Sequence, residues 1–274
     1  MTSSAETLML DRGEGHIAYD IRGTGPLVIC APGMGDIRQT WRYLVPATVS
    51  AGYRVITFDL RGHGESDTTF TAFDDDATAS DIIALTQSYG PAVIVGNSMG
   101  AAAGVIAASA HPELITGLVL VGPFVREPKV NPIMKTVLTI ATAQPWAAPV
   151  WKAYRPSLYA GLKPADQQEF ANAANAAMRR RGYQAAFSKT TRSSHVPAEA
   201  ALPGVKAPAL VVMGELDPDF PKSALEAQWI SEQLDAEVLM VPDAGHYPQS
   251  QRPDVVNPAV ISFLDGLPLD RTHA

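Results

Sequence analysis

The chain has 274 residues, of which 46% are hydrophobic and 18% are charged, a composition typical of a globular protein and not of a disordered chain. This length is sufficient for one large domain or for a core domain with an insertion. The formal net charge of −7 argues against a nucleic-acid partner, because nucleic acids are bound by a concentrated basic face.

The beginning of the chain and its single cysteine bear on the compartment. The first fifteen residues contain neither a basic region nor an apolar stretch of signal-peptide length, and no segment approaches about 20 uninterrupted apolar residues. Cys30 is the single cysteine, so no intrachain disulfide can form. Because it lies in an apolar run, it is expected to be a buried core residue. We therefore expect a cytoplasmic protein without membrane insertion, with a monomer and a homodimer both open.

Taken in chain order, short apolar runs alternate with helical stretches, which predicts a mostly parallel sheet covered on both faces. Residues 7–22 alternate apolar and polar side chains around two glycines and predict an antiparallel hairpin. Further strands are predicted at residues 26–31, 54–59, 92–96, 117–121, 209–214 and 237–241. Helices are predicted at residues 38–50, 77–89, 99–110, 222–234 and 254–266.

The segment between residues 124 and 202 has no strand-like run. Alanine-rich stretches at 133–143 and 167–180, interrupted by prolines, predict helices there. We interpret residues 124–202 as a helical cap inserted into a core formed by residues 1–123 and 203–274. The aromatic side chains of the cap either pack it on the core or line a pocket, and the sequence does not assign these roles ring by ring.

The segment GNSMG at residues 96–100 carries the strongest indication of chemistry, because it follows a predicted strand and opens a predicted helix. Glycine on each side permits a tight strand-to-helix turn that exposes the Ser98 hydroxyl at the carboxyl edge of the sheet. The turn also directs the Met99 N–H and the positive end of the helix dipole to the same place. Ser98 is therefore the predicted nucleophile.

A serine hydroxyl needs a base to accept its proton, and the chain offers six histidines. His246 is the predicted base, because it follows the last predicted strand and lies on a loop at the same sheet edge as Ser98. An acid must orient the imidazole and stabilise its protonated form. Asp217, just after the strand at 209–214, is the first candidate for this role and Asp219 is the alternative. His195, in the insertion, is expected either at the surface or against the substrate.

A negatively charged oxygen that develops during acyl transfer needs hydrogen-bond donors. The Met99 N–H is one predicted donor, and the Met34 N–H is the other. Met34 lies in the loop PGMGD at residues 32–36, where glycines permit a close approach of the backbone to a ligand, although they are also compatible with a plain turn.

These segments resemble the α/β-hydrolase superfamily, in the branch that has a serine nucleophile and a helical cap after the sixth strand. The resemblance rests on PGMGD at 32–36, DLRGHGES at 59–66, GNSMG at 96–100, GELD at 214–217 and AGH at 244–246. It implies an α/β fold with a mostly parallel eight-stranded sheet flanked by helices. It also implies that residues 59–66 form a structural loop, so that His63 and Ser66 are not expected to be catalytic.

Two departures from the family pattern matter for the chemistry. Pro32 stands where relatives usually carry a histidine that steadies the oxyanion loop, which leaves the backbone donor but removes that support. Ser98 stands where relatives that cleave carbon–halogen bonds or epoxides carry an aspartate, which argues against both activities.

The resemblance implies a hydrolase of small molecules. Relatives that cleave carbon–carbon bonds typically have a cap arginine and a tryptophan after the catalytic histidine, whereas Tyr247 follows His246 and no cap arginine stands out as a ligand. We therefore expect a carboxylesterase-like serine hydrolase of a small to medium, largely apolar ester, lactone or thioester. The alternatives are a carbon–carbon hydrolase, a cofactor-free perhydrolase or oxygenase, and a non-enzymatic small-molecule receptor.

No metal-ligand cluster or phosphate-binding glycine loop is evident, so no metal and no cofactor is expected. The candidates for substrate contact share an aromatic ring or a place in the oxyanion loop: Gly33, Trp146, Trp151, Tyr154 and Tyr247.

Overall fold

The structure, a computed structural model, describes residues 6–127 and 132–269. Residues 1–5 and 270–274 of the predicted core lie outside the described residues, and His273 is among them. Residues 128–131 of the predicted cap also lie outside them. None of the helices in the described ranges is both long enough and apolar enough to cross a bilayer.

An eight-stranded sheet forms the centre of the molecule. Its strands are β1 (Leu8–Asp11), β2 (His16–Arg22), β3 (Leu27–Ala31), β4 (Arg54–Phe58), β5 (Ala92–Asn97), β6 (Ile115–Val121), β7 (Ala209–Gly214) and β8 (Glu237–Val241). They follow the order β1-β2-β4-β3-β5-β6-β7-β8, and only the pairs β1–β2 and β2–β4 are antiparallel. The predicted hairpin and the predicted eight-stranded, mostly parallel sheet are confirmed.

The central strands are buried on both faces, which is why they read as continuous apolar runs. Every residue of β3, β5 and β7 is buried, Cys30 in β3 included. One hydrophobic cluster covers each face of the sheet. The helices that contribute to these clusters are α1 (Leu44–Ser50), α2 (Asp75–Tyr89), α3 (Met99–Ala110), α9 (Ser223–Leu234) and α11 (Pro253–Gly266). A short helix, α10 (Pro248–Gln251), precedes α11.

The prediction of one helix over residues 38–50 is wrong. A 3₁₀ turn spans Arg38–Trp41, and α1 begins only at Leu44. Proline is tolerated in the first turn of a helix, where its missing N–H would have no partner, and Pro46 occupies that turn of α1. The buried Arg38 side chain is also held by Asp20 and Asp59, which keeps the preceding turn separate.

The segment between β6 and β7 contains α4 (Pro132–Ala141), α5 (Ala147–Tyr154), α6 (Gln167–Ala177), α7 (Tyr183–Thr190) and α8 (Val196–Ala201). Two arginine contacts fasten it to the remainder of the molecule. Arg42 forms a two-pronged pair with Asp166, with both N–O distances 2.6 Å. Arg180 donates to the carbonyl oxygens of Gly64 and Ser66. These contacts position the inserted helices over the carboxyl edge of the sheet.

Candidate active site

Ser98 lies in the turn between β5 and α3 with a φ of +55°, a conformation that L-residues rarely adopt. Glycine is required at the positions two residues before and after Ser98, because neither position has space for a β-carbon. A β-carbon on Gly96 would lie 2.4 Å from the Gly100 carbonyl oxygen, and one on Gly100 would lie 2.3 Å from the Ala31 carbonyl oxygen. The half-buried Ser98 side chain thus stands at the end of the sheet, at the start of a helix.

His246 and Asp217 are brought together by the loops after β8 and β7. The Nδ1 atom of His246 lies 2.8 Å from Asp217 Oδ2, and both side chains are buried. The His246 backbone is held from two sides: its N–H donates to the Leu158 carbonyl at 2.8 Å, and its carbonyl accepts from the Asn97 amide at 3.2 Å. Asn97 directly precedes Ser98, so the loop of the predicted base is tied to the turn of the predicted nucleophile.

Burial alone would lower the pKa of His246, but the nearby Asp217 carboxylate, helped by Asp219, raises it overall above the ordinary value. Asp219 Oδ2 is 3.8 Å from the same Nδ1 atom, whereas its other oxygen accepts a hydrogen bond from the Tyr154 hydroxyl. Of the two acids that the sequence left open, only Asp217 has a carboxylate oxygen within hydrogen-bonding distance of His246 Nδ1. The pair therefore favours an imidazolium, the species that forms when a serine proton is accepted.

The loop after β3 and the start of α3 meet beside Ser98. A β-carbon on Gly33 would lie 2.9 Å from the Ser98 β-carbon, so the backbone of this loop runs against the serine. Met99 is the first residue of α3, and its N–H therefore has no acceptor in a preceding turn. Trp151 of α5 packs on Gly35, where a β-carbon would lie 2.1 Å from its ring nitrogen. An inserted helix thus covers the loop that lacks the histidine common in relatives.

A cavity of about 650 Å³ opens at this place. Ser98 and His246 line it, as do the two predicted oxyanion donors, Met34 and Met99. Its volume lies within the range of small-molecule sites.

Of the residues predicted to contact substrate, Trp151, Tyr154 and Tyr247 line this cavity, and Gly33 lies beside Ser98. Trp146 is not among the lining residues. Its side chain is 60% exposed just before α5, so the prediction that it contacts substrate is not supported by its position. An aromatic ring on a helix flank faces inward or outward according to how the helix packs, which this stretch of sequence does not reveal.

Two polar residues on the segment after α7 line the cavity: Arg192, which the sequence did not single out, and His195, which it left open between the surface and the substrate. Arg192 is thus an arginine of the inserted segment that lines the cavity, although none stood out as a ligand in the sequence. No motif marks Arg192, and only the packing of α4 and α7 brings it to the cavity, where its guanidinium contacts Ser188 and the Thr139 carbonyl.

His195 has a buried acidic partner of its own. Its Nδ1 atom lies 2.7 Å from Oδ2 of Asp75, a carboxylate at the start of α2 that is 1% exposed. The ring of Phe124 contacts both cavity imidazoles, with centroids 5.4 Å from His195 and 5.9 Å from His246. The cavity thus has two histidines, each oriented by a buried aspartate.

A cation could find three ligand atoms at one point of the site. Asp217, Asp219 and His246 each present one such atom within 4.8 Å of the others. The Nδ1 atom of His246 and Asp217 Oδ2 already face each other at hydrogen-bonding distance, and this pairing accounts for the cluster without an ion.

Comparison with known proteins places these observations in context. Residues 28–259 match the model of the alpha/beta hydrolase family. A 2-(acetamidomethylene)succinate hydrolase of Mesorhizobium japonicum is 29% identical over 269 residues, which span 92% of this chain and 93% of that protein. A putative non-heme bromoperoxidase of Mycobacterium tuberculosis is 28% identical over 260 residues, or 91% of this chain and 97% of the relative.

A solved structure supports the fold. The crystal structure of a bromoperoxidase from Bacillus anthracis superimposes with a TM-score of 0.81, covering 96% of this chain and 100% of the other at 20% identity.

Proposed function

The chain belongs to the alpha/beta hydrolase family, and from this premise we propose that it is a serine hydrolase acting on a small to medium ester, lactone or thioester. The proposed catalytic residues are Ser98 as nucleophile, His246 as base and Asp217 as orienting acid. We further propose that residues 124–202 form a cap over this site. The name of the relative from Mesorhizobium japonicum, a hydrolase, supports hydrolytic chemistry.

One observation carries the proposal: a serine in a strained strand-to-helix turn shares a single cavity with a histidine that is paired to a buried aspartate. A serine in a structural role has no need of the left-handed conformation, which costs about 1–3 kcal/mol. A turn under such strain, with its hydroxyl directed into a cavity, is typical of a nucleophile.

The proposed reaction proceeds in two steps. His246 Nε2 accepts the Ser98 proton while Oγ bonds to the acyl carbon, and the Met34 and Met99 N–H groups stabilise the oxyanion. The intermediate collapses, and the leaving alkoxide or thiolate takes the proton from His246, which leaves an acyl-serine. Water, deprotonated by His246, then attacks the same carbon; the bond from this carbon to Ser98 Oγ breaks, Oγ takes the proton back from His246, and the acid is released. Asp217 stabilises the imidazolium in both steps.

The test is hydrolysis of p-nitrophenyl esters from acetate to decanoate by the wild type and by Ser98→Ala. We expect the variant to lose at least about 10⁴-fold in kcat while remaining folded by circular dichroism. Ser88→Ala, near the end of α2 and not among the residues that line the cavity, serves as the matched control and should keep the wild-type rate. Wild-type activity that persists in Ser98→Ala, or a Ser98 that a fluorophosphonate does not label, would contradict the proposal.

A second candidate, a carbon–carbon bond hydrolase, is favoured by the presence of Arg192 in the cavity. In that case the same oxyanion donors would act on a ketone carbon and the leaving group would be a carbanion. Cleavage of a 1,5-diketone without turnover of any p-nitrophenyl ester would support this candidate over the first.

A further inference from the structure

One wall of the cavity is polar, although the sequence led us to expect a largely apolar substrate. This polar wall consists of Thr139 and Thr142 of the inserted segment together with residues 190–195. The remainder is lined by Ser98, by apolar side chains such as Met99, Phe124 and Trp151, and by the ionisable groups of Glu127, Asp219 and His246. A ligand that fills the cavity therefore meets apolar surface near the serine and polar groups along the polar wall.

Arg192 provides the charge of the polar wall. Within residues 6–127 and 132–269, no carboxylate oxygen lies within 4.0 Å of its guanidinium nitrogens. Its hydrogen bonds go to neutral oxygens: the Ser188 carbonyl and hydroxyl, and the Thr139 carbonyl at 3.4 Å. A guanidinium has five N–H donors and stays ionised at neutral pH. Arg192, an exposed residue that also lines the cavity, is therefore a cation without a carboxylate partner in the described part of the chain.

Ser193, the next residue, has a buried hydroxyl oxygen that finds no hydrogen-bond partner in the described chain. A buried hydroxyl without a partner is costly, and such groups are usually satisfied by a ligand or by water. Arg192 and Ser193 together therefore supply a positive charge and an adjacent donor, which are the groups that bind a carboxylate.

His195 and Glu127 limit where such a carboxylate can lie. Asp75 holds Nδ1 of His195, which leaves Nε2 as the remaining polar atom of the ring. Glu127 also lines the cavity. Its Oε2 atom accepts a hydrogen bond from the backbone N–H of His195 at 3.0 Å and lies 3.5 Å from the Ser194 hydroxyl. Because Glu127 would repel a second anion beside His195, the room for an anion is on the side of Arg192 and Ser193.

We propose that Arg192 and Ser193 form a subsite for a carboxylate that the substrate carries on its acyl portion, away from the scissile carbonyl. This inference rests on the proposed hydrolase function of the same cavity and narrows it to monoesters or lactones of acids with a second, ionised carboxyl group. The apolar surface near Ser98 receives the methylene chain between the two carbonyl carbons.

The experiment compares two matched series of p-nitrophenyl esters, the monoesters of C4 to C8 dicarboxylic acids and the esters of monocarboxylic acids of equal length. We expect the wild type to prefer the dicarboxylic series by at least about 10-fold in kcat/KM at the best length, as a hydrogen bond to a charged group allows. Arg192→Gln should reduce kcat/KM about 10- to 100-fold more for the dicarboxylic series than for the neutral one, mainly through KM.

Two further variants separate charge from structure. Arg192→Lys keeps the charge and should retain part of the preference, which a purely structural role of the guanidinium would not produce. Arg179→Gln removes one cation from an exposed position and should leave the preference as in the wild type. If the wild type hydrolyses both series at equal rates, or if Arg192→Gln loses equally for both series, the carboxylate subsite is overturned.

A binding measurement distinguishes failure of the subsite from failure of the proposed function. Monomethyl glutarate is titrated calorimetrically into Ser98→Ala and into Ser98→Ala/Arg192→Gln. Binding that requires Arg192, in a protein whose wild type hydrolyses neither series, would contradict the ester hydrolase and support the subsite. Hydrolysis of the neutral series, without binding that depends on Arg192, would overturn the subsite and leave the hydrolase standing.

Discussion

Two carboxylates face the Nδ1 atom of His246, Asp217 at 2.8 Å and Asp219 at 3.8 Å. Burial lowers the pKa of His246, but the two negative charges raise it overall above the ordinary 6.5. Only the neutral imidazole accepts a proton from Ser98. The proposed hydrolase should therefore gain activity as pH rises, with the acid limb of the profile centred above that ordinary value.

Asp219→Asn tests this account at the scale of one residue. The substitution removes a negative charge that stabilises the imidazolium, so the pKa of His246 should fall and the acid limb of kcat/KM should move to lower pH. The pH dependence of kcat/KM for a p-nitrophenyl ester measures the shift. Glu232→Gln, exposed on α9, is the control with equal charge change. An acid limb that stays in place or moves to higher pH would contradict the assignment.

The turn between β5 and α3 is the element on which the site depends, because it joins the nucleophile to the loop after β3. A β-carbon on Gly100 would clash with backbone atoms, because it would lie 2.3 Å from the Ala31 carbonyl oxygen and 2.7 Å from the Pro32 carbonyl oxygen. Neither oxygen can yield without displacing the end of β3 and the loop of Met34.

We expect Gly100→Ala to destabilise the fold by about 1–3 kcal/mol and to abolish ester hydrolysis, since the added methyl group separates the two predicted oxyanion donors. Urea denaturation and kcat measure the two effects. Gly266→Ala is the matched control at the end of α11, where a β-carbon meets no atom within 4 Å. There, alanine should be neutral or slightly stabilising. Equal effects of the two substitutions would refute the steric argument.

On the scale of the whole molecule, a buried charge lies between the core and the inserted helices. Asp36 is 1% exposed, and neither of its oxygens makes a hydrogen bond of ordinary geometry in the described chain. Burial raises its pKa from 3.8 to about 6, although Arg155 of the insertion opposes the shift. Arg155 is itself held by the Asn175 side chain at 2.7 Å, so α6 is coupled to the loop that follows β3.

The raised pKa of Asp36 predicts how the stability of the molecule depends on pH. Between its unfolded and folded pKa values, the folded state binds a proton that the unfolded state does not, so this contribution is present below pH 4 and is lost as pH rises through about 6. The free energy of unfolding of the wild type relative to Asp36→Asn should therefore fall by up to about 3 kcal/mol between pH 4 and pH 7.

Urea denaturation at several pH values measures this difference. Asp254→Asn is the control, because Arg252 lowers the pKa of the exposed Asp254 and any effect lies below this pH window. Parallel stability curves for the wild type and Asp36→Asn would show that Asp36 has the same pKa in the folded and unfolded states and would refute the account.

Several elements were predictable because their causes are local. The apolar runs of β3, β5 and β7 follow from burial on both faces, and α3 begins and ends where the small residues after Ser98 begin and end. The break between the 3₁₀ turn and α1 was not predicted, because it depends on salt bridges from Arg38 to Asp20 of β2 and to Asp59, just after β4.

By itself, the sequence determined the mostly parallel eight-stranded sheet, because its strands read as short apolar runs. It also predicted three catalytic positions, because the motifs that carry them stand at strand ends that the fold brings to one edge. Only the tertiary structure decided which side chains of the inserted helices face the cavity. Trp146 is largely exposed and does not line the cavity, whereas Arg192 and His195 do. The reason is physical: the orientation of a short helix depends on contacts with partners distant in the chain, such as Asp75 for His195 and Thr139 for Arg192.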